Sequence, residues 1–103
     1  MLIQVNFADF TRSDVIDDYV NDRVSKELSH FSDRITRVEV HLHDENGVSK
    51  QGSNDKLCKM EARPSGHQPM AVEHSGDNMQ QVISEAAAKL ARVLKKTFDK
   101  QAH

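Results

Sequence analysis

The chain has 103 residues and a mass of 11.6 kDa, a length that suits one domain with a modest core and excludes two. Hydrophobic residues make up 37% and charged residues 29%, as in a small globular protein, and the net charge of −2 argues against a general nucleic-acid binder. The single cysteine, Cys58, excludes an internal disulfide. No apolar run approaches the ~20 residues of a membrane span and no secretory signal begins the chain, so we expect a cytoplasmic protein with one domain over 1–103.

The first two predicted elements are a strand and an amphipathic helix. Leu2–Phe7 alternates apolar and polar residues, which predicts a strand with one buried face. Ser13–Ser29 repeats apolar residues at helical spacing, and Thr11 or Ser13 can cap this helix before an acidic first turn. Its predicted packing stripe comprises Ile16, Val20, Val24 and Leu28, with Val15, Tyr19 and Phe31 beside them.

Three further strands are predicted. Ile35–His43 alternates again, and its closeness to the first strand and helix predicts a right-handed crossover with the two strands parallel. The polar segment 44–55 is expected to be a loop between antiparallel strands. Lys56–Arg63 and Met70–His74 form the last two strands, joined by a turn at 64–66. The residues assigned to the core face of the second and third strands are Val38, Val40, Leu42, Cys58, Met60 and Ala62.

The last helix is predicted over Asp77–Lys100. Asp77 can cap it, with Gln80 reaching back as in a capping box. Phe10 and Phe98 are the two aromatic residues whose place in the core stays open. The predicted packing face comprises Met79, Ile83, Ala86, Leu90, Val93, Leu94 and Thr97.

A second side of this helix carries a row of cations. The row consists of Lys89, Arg92, Lys96 and Lys100, with Lys95 beside it. Residues 86–103 hold five bases and one acid, whereas residues 1–30 hold three bases and six acids. Such a local patch can bind the phosphates of a polyanion although the whole chain is slightly acidic. The alternative is an ordinary solvated helix face.

Taken together, the elements predict an α+β fold in the order βαβββα. We expect a four-stranded mixed sheet with both helices on one face, an architecture resembling that of double-stranded-RNA-binding domains, and the other face open to solvent. The open face would carry Arg37, Lys59 and Arg63 but few aromatic residues, so stacking on single-stranded bases is not expected to dominate any contact with nucleic acid.

The candidates for chemistry are few. His41 and His43 share one face of a strand, where Asp44, Glu45 or His74 could complete a metal site; the alternative, a polar strand face without metal, is the one we adopt. Cys58 is assigned to the core rather than to nucleophilic chemistry. The sequence has no glycine-rich phosphate loop and no serine elbow. We therefore expect no catalysis, no cofactor and no small-molecule substrate.

Three stretches resemble a known family. The segments FSDRITRVEVHLHDENG (Phe31–Gly47), CKMEARPSGHQPMAVEHSGDNMQQVI (Cys58–Ile83) and KLARVLKK (Lys89–Lys96) are similar to the ribosome hibernation promoting factor and ribosome-associated inhibitor A family. The similarity covers nearly the whole chain, and this chain resembles the short members, which lack the C-terminal dimerisation domain of the long ones.

The resemblance implies a bacterial stress protein that binds the small ribosomal subunit in the channel for messenger and transfer RNA, inhibits translation and stores idle ribosomes. Basic side chains would contact phosphates of ribosomal RNA, and a monomer is favoured. The residues assigned to RNA binding are Lys89, Arg92, Lys95, Lys96, Lys100, Arg23, Lys26 and Arg37. The alternative function is a stress-associated protein-interaction module that uses the open sheet face or an edge strand.

Overall fold

Segments of alternating apolar and polar residues form four strands. One helix connects the first two strands and a second helix follows the last strand, in the predicted order. The structure is a computed structural model that describes residues 1–44 and 55–101. The predicted loop over 44–55 lies outside the described residues except for its two end positions. The elements are β1 (Leu2–Phe7), α1 (Asp14–Glu27), a 3₁₀ turn (Ser29–Arg34), β2 (Ile35–Asp44), β3 (Lys56–Pro64), β4 (Met70–Gly76) and α2 (Met79–Gln101).

The sheet is mixed, as predicted. Its strand order is β1-β2-β3-β4, with β1 parallel to β2 and the other two pairs antiparallel. The register sets the predicted inward residues opposite one another, and all of them are fully buried, so the assignment of the core face is confirmed. The opposed pairs are Val38 with Ala62, Val40 with Met60, and Leu42 with Cys58.

Helix α1 begins where the sequence offers a side-chain cap. The Ser13 hydroxyl accepts a hydrogen bond from the Ile16 amide at 3.3 Å, which satisfies one of the free amides of the first turn. The helix buries Val20 and Val24, and Leu28 closes its end by donating its amide to the Val24 carbonyl. The helix ends two residues before the predicted Ser29, because the chain tightens into the 3₁₀ turn.

The predicted position of Val15 beside the packing stripe is wrong. Its side chain is 70% exposed, since the stripe through Val20 and Val24 turns it toward solvent. Tyr19 and Phe31 do pack against the core, and the Tyr19 hydroxyl lies 3.0 Å from the Ser84 hydroxyl of α2. This contact joins the two helices side by side.

Helix α2 begins one residue later than the predicted cap requires. Asn78, and not Asp77, is the capping residue, because its Oδ1 accepts from the Gln81 amide at 3.0 Å and its carbonyl accepts from the Val82 amide at 2.9 Å. The capping box of Asp77 with Gln80 is therefore wrong by one position. Gly76 lies two residues before this cap, and a Cβ there would come within 3.0 Å of Val82.

The packing face of α2 differs from the predicted face at its C-terminal end. Phe98 is 5% exposed and its ring lies 5.3 Å from that of Phe31, so it belongs to the core. Val93 is 37% exposed, and its predicted burial is wrong. The buried residues of α2 are Met79, Val82, Ile83, Ala86, Ala87, Leu90, Leu94 and Phe98.

Both helices cover the same face of the sheet, as predicted. α2 packs on β3 and β4, while α1 lies beside α2 toward β1. The opposite face carries polar and charged side chains, among them Gln4, Lys59 and Glu73, which are exposed. This arrangement leaves the outer side of α2 beside the edge strand β4.

The packing of α2 predicts the effect of Leu90→Ala. Leu90 is fully buried, so its truncation should lower the free energy of unfolding by about 2–5 kcal/mol through lost burial and a residual cavity. Urea titration followed by circular dichroism measures the change. Val15→Ala, at a 70% exposed site, is the control and should stay within about ±0.5 kcal/mol. Equal stability of the two variants would contradict the packing face.

The observed cap predicts a difference between two neighbours. Asn78→Ala removes the acceptor of the Gln81 amide and should destabilise the protein by about 1 kcal/mol. Asp77→Ala should cost clearly less, because Asp77 does not cap the helix. Thermal melts of the two variants against the parent make the comparison, and a larger loss for Asp77→Ala would restore the original assignment.

Candidate nucleic-acid interface

Three cations of the predicted row stand exposed on one side of α2. Arg92, Lys96 and Lys100 follow one another at a spacing of four residues, so they lie along one line of the helix. Within the described ranges, no carboxylate forms an ion pair with any of them. Their charges therefore face solvent without an internal counterion.

Lys89, the first member of the predicted row, is engaged differently. Its side chain is half-buried, and its ammonium donates to the main-chain carbonyl oxygen of Glu73 at 2.9 Å. This hydrogen bond fastens α2 to β4. Lys89 thus acts as a link between the two elements, and a phosphate contact through its ammonium would compete with that link.

A groove lies between this side of α2 and β4. Its volume is about 300 Å³, and its apolar lining, here called the floor, consists of Val72 from β4 and Val93 from α2. Lys89, Arg92 and Lys96 complete the lining. The groove therefore combines an apolar floor with cationic walls. Sequence reasoning missed it, because Val93 was assigned to the core and only the position of β4 brings Val72 alongside.

Lys95 lies on another side of α2. Its ammonium pairs with Asp99 one turn later at 2.8 Å, and both side chains are largely exposed. Such a pair within one helix contributes a few tenths of a kcal/mol in water. The pair neutralises Lys95 locally, so this residue stands apart from the three unpaired cations.

The two predicted cations of α1 are also paired. Lys26 lies 3.3 Å from Asp22, and Arg23 lies 3.9 Å from Glu27. The Nε atom of Arg23 is buried without a hydrogen-bond partner in the described part of the chain. Because each of these cations stands beside an acid, α1 attracts phosphate less strongly than α2 does.

Arg37 lies on the open face of the sheet, away from the row on α2. Its guanidinium hydrogen-bonds the Glu39 carboxylate, with a distance of 3.1 Å from Nε to Oε2, and this bond lowers the pKa of Glu39. Arg63 lies 3.8 Å from Glu39 and 3.7 Å from Glu61. The open face is thus a network of alternating charges rather than a cationic patch.

One arginine that sequence reasoning missed lies against the last turns of α2. Arg34 is exposed, and its guanidinium carbon sits 3.8 Å from the centre of the Phe98 ring. A stacked guanidinium of this kind is held in one orientation. The sequence contains no spacing signal for it, because the contact joins the 3₁₀ turn to the last turns of α2.

The histidines do not converge on a metal site. His41 lies near Asn6 and Glu39, at 3.5 and 3.9 Å, and His43 lies 3.6 Å from Asp9. His74 is opposite Cys58 in the register and so belongs to the helix-covered face, which makes its proposed place beside His41 and His43 wrong. In residues 1–44 and 55–101, no three potential ligands form a metal-binding group. The expectation that no metal is bound stays a prediction.

Cys58 is completely buried in β3. Burial among apolar side chains disfavours the thiolate and raises the pKa of the thiol to about 12. A thiol of this kind is a poor nucleophile near neutral pH, in agreement with the assignment of Cys58 to the core.

The buried thiol predicts slow chemical modification. At pH 8 the folded protein should react with Ellman's reagent only as fast as it unfolds, whereas urea-unfolded protein should react at once. Stability should also decline as pH rises from the ordinary thiol pKa of 9.0 toward about 12, because only the unfolded thiol ionises in that range. Rapid labelling of the folded protein at pH 8 would contradict this burial.

No helix in the described ranges is long and apolar enough to cross a membrane.

Comparison with known proteins identifies relatives over nearly the whole chain. A family model described as sigma 54 modulation protein / S30EA ribosomal protein matches residues 3–102. Among curated protein sequences, none matches significantly.

Two solved structures share the fold. A ribosomal subunit interface protein from Coxiella burnetii superposes with a TM-score of 0.79 at 15% identity, covering 96% of this chain and 99% of that one. The N-terminal domain of Protein Y from Thermus thermophilus has a TM-score of 0.75 at 18% identity, covering 94% and 99%. At these identities the likeness establishes the fold, which agrees with the βαβββα order.

Proposed function

The chain belongs to the sigma 54 modulation protein / S30EA ribosomal protein family, and on this premise we propose that it binds the small ribosomal subunit through phosphates of ribosomal RNA and inhibits translation. Membership implies association with the ribosome and, with it, the cytoplasm. The family is one of ribosome-associated factors and not a class of enzymes. The proposal concerns what membership leaves open for this chain: the subunit that it binds, its contact with RNA phosphates, its effect on translation and the surface that makes the contact.

The unpaired cations of α2 carry the proposal. Arg92, Lys96 and Lys100 are exposed at a regular spacing and have no carboxylate partner in the described part of the chain. A cation without an internal partner gives up no ion pair when it meets a phosphate, and it releases condensed counterions from the RNA. Lys95, Arg23 and Lys26 would each have to leave an acid first.

The uneven distribution of charge favours one orientation on the ribosome. The beginning of α1 carries the exposed acids Asp14 and Asp18, and the α2 row lies on the other helix, beside β4. The field of a dense polyanion attracts the α2 side and repels the acidic start of α1. A chain with a net charge of −2 can therefore still bind RNA, with its cationic side turned toward the RNA.

The named neighbour adds a second line of support. The Coxiella burnetii protein is described as a ribosomal subunit interface protein, and we extend that partner to this chain. A contact at a subunit interface would obstruct the binding of other components there, which accounts for inhibition of translation without any catalytic step.

The alternative function is a protein-interaction module that uses the open sheet face or an edge strand. Both β1 and β4 are edge strands, and an edge strand can pair with another chain. At β4, however, Lys89 already occupies the carbonyl oxygen of Glu73. A partner strand that used this oxygen would compete with Lys89. The alternative also assigns no role to the unpaired cations of α2, so the RNA proposal is preferred.

A charge-removing double variant tests the proposal. Arg92→Gln with Lys96→Gln should weaken binding to purified small subunits. It should also flatten the slope of log affinity against log salt by the equivalent of up to about two phosphate contacts. Stability should change by no more than about 0.5 kcal/mol per site, because both side chains are exposed. Co-sedimentation at low and high salt measures the effect, with inhibition of translation assayed in parallel.

The matched control is Lys59→Gln with Arg63→Gln, which removes the same charge from the open sheet face. It should leave binding close to that of the parent. If the control weakens sedimentation as much as the α2 variant does, net charge and not the α2 surface governs binding. If neither variant changes it at either salt concentration, the RNA proposal fails.

A further inference from the structure

Val93 occupies an unusual position on α2. It is 37% exposed, although Leu90 and Leu94 on the same helix are fully buried. Together with Val72 of β4 it forms the floor of the groove, and Arg92 and Lys96 stand at the walls. An apolar floor contributes nothing to a phosphate contact, so the cationic row alone does not account for this groove.

We propose that the groove receives one unpaired base of an RNA strand, while Arg92 and Lys96 hold the phosphates that flank it. The inference rests on the proposed function and deepens it, because it assigns the ligand of the groove as a single-stranded segment of RNA. The base would lie against Val72 and Val93, and the sugar would pass between the cationic walls.

Size and charge favour this occupant. A volume of about 300 Å³ lies at the lower end of small-ligand sites and is enough for one nucleotide. In a duplex the base faces are stacked and cannot reach an apolar floor, whereas an unpaired base can be turned outward. Lys89 is engaged with the Glu73 carbonyl, and the other two cations of the lining, Arg92 and Lys96, match the phosphates on both sides of such a base.

The groove is held in shape before any ligand arrives. The hydrogen bond from Lys89 to the Glu73 carbonyl, 2.9 Å long, ties together α2 and β4, the two elements that line it. The Thr97 hydroxyl donates to the carbonyl of Val93 at 3.1 Å, one turn away on the same helix. A floor fixed in this way loses little conformational entropy on binding, which favours affinity.

The lining also predicts tolerance of base identity. Val72 and Val93 contact the face of a base and carry no side-chain hydrogen-bonding group, and the polar groups of the lining are all cationic donors. Contact with a base face does not distinguish one base from another, because every base presents such a face. The groove should thus select unpaired nucleotides by their strandedness and not by their sequence.

The test separates the contribution of the base contact to binding from that of the phosphate contacts. Val93→Asn exchanges the apolar floor for a polar one at similar helix propensity. We expect it to weaken binding of a short single-stranded oligo-uridine RNA roughly fivefold, as apolar contact is lost. Binding of inorganic polyphosphate, which carries charge but no base, should stay within about twofold. Fluorescence anisotropy with labelled RNA, and competition by polyphosphate, give both affinities.

Two controls accompany this variant. Val15→Asn makes the same change at an exposed valine of α1 and should affect neither ligand. Val93→Leu keeps the floor apolar and should retain RNA binding. Retention would show that the loss in Val93→Asn comes from the polarity of the new side chain and not from any substitution at this position. A thermal melt establishes that each variant is folded.

The outcomes also separate the inference from the proposed function. If Arg92→Gln with Lys96→Gln weakens both ligands while Val93→Asn weakens neither, or weakens both equally, the surface binds phosphates and the base site is wrong. If the charge variant changes neither ligand, the proposed function fails as well. Tighter binding of duplex than of single-stranded RNA by the parent would likewise overturn the base site.

Discussion

Burial of one side of α2 against β3 and β4 determines how the surface of this protein is arranged. Ile83, Leu90 and Leu94 are fully buried. Rotating the helix would expose these side chains to water, at a free-energy cost of about 25 cal/mol for each Å² of apolar surface. With the rotation set by these residues, Arg92 and Lys96 emerge beside β4 and form the walls of the groove. The cationic surface is thus a consequence of core packing, and its geometry is as stable as the core.

The remaining charges are arranged so that this surface stands out. Two cations of α1, Arg23 and Lys26, and two of the open sheet face, Arg37 and Arg63, are each paired with an acid. Pairs of this kind contribute little to stability in water, but they cancel the local field. The α2 side is left as a cationic region on a chain whose net charge is −2. A protein of this kind can approach a polyanion in one orientation without binding nucleic acid over its whole surface.

The sequence predicted the strands more accurately than the helix faces, for a geometrical reason. A strand has two faces, so alternation assigned Val40 and Met60 to the core correctly. A helix turns by about 100° per residue, so residues at the margin of a stripe are ambiguous. Val93 was assigned to the core and is 37% exposed. The engagement of Lys89 and the groove itself depend on where β4 lies beside α2, which no local pattern contains.

The most direct test of the RNA-binding surface is the reactivity of individual lysines in the bound protein. Acetic anhydride labels exposed amines, and mass spectrometry compares each site in the free protein with the same site in the complex with small ribosomal subunits. We expect protection of Lys96 and Lys100 in the complex, while Lys59 on the open sheet face keeps the reactivity that it has in the free protein. Protection of Lys59 with unchanged labelling of Lys96 and Lys100 would place the RNA on the opposite face and contradict the account.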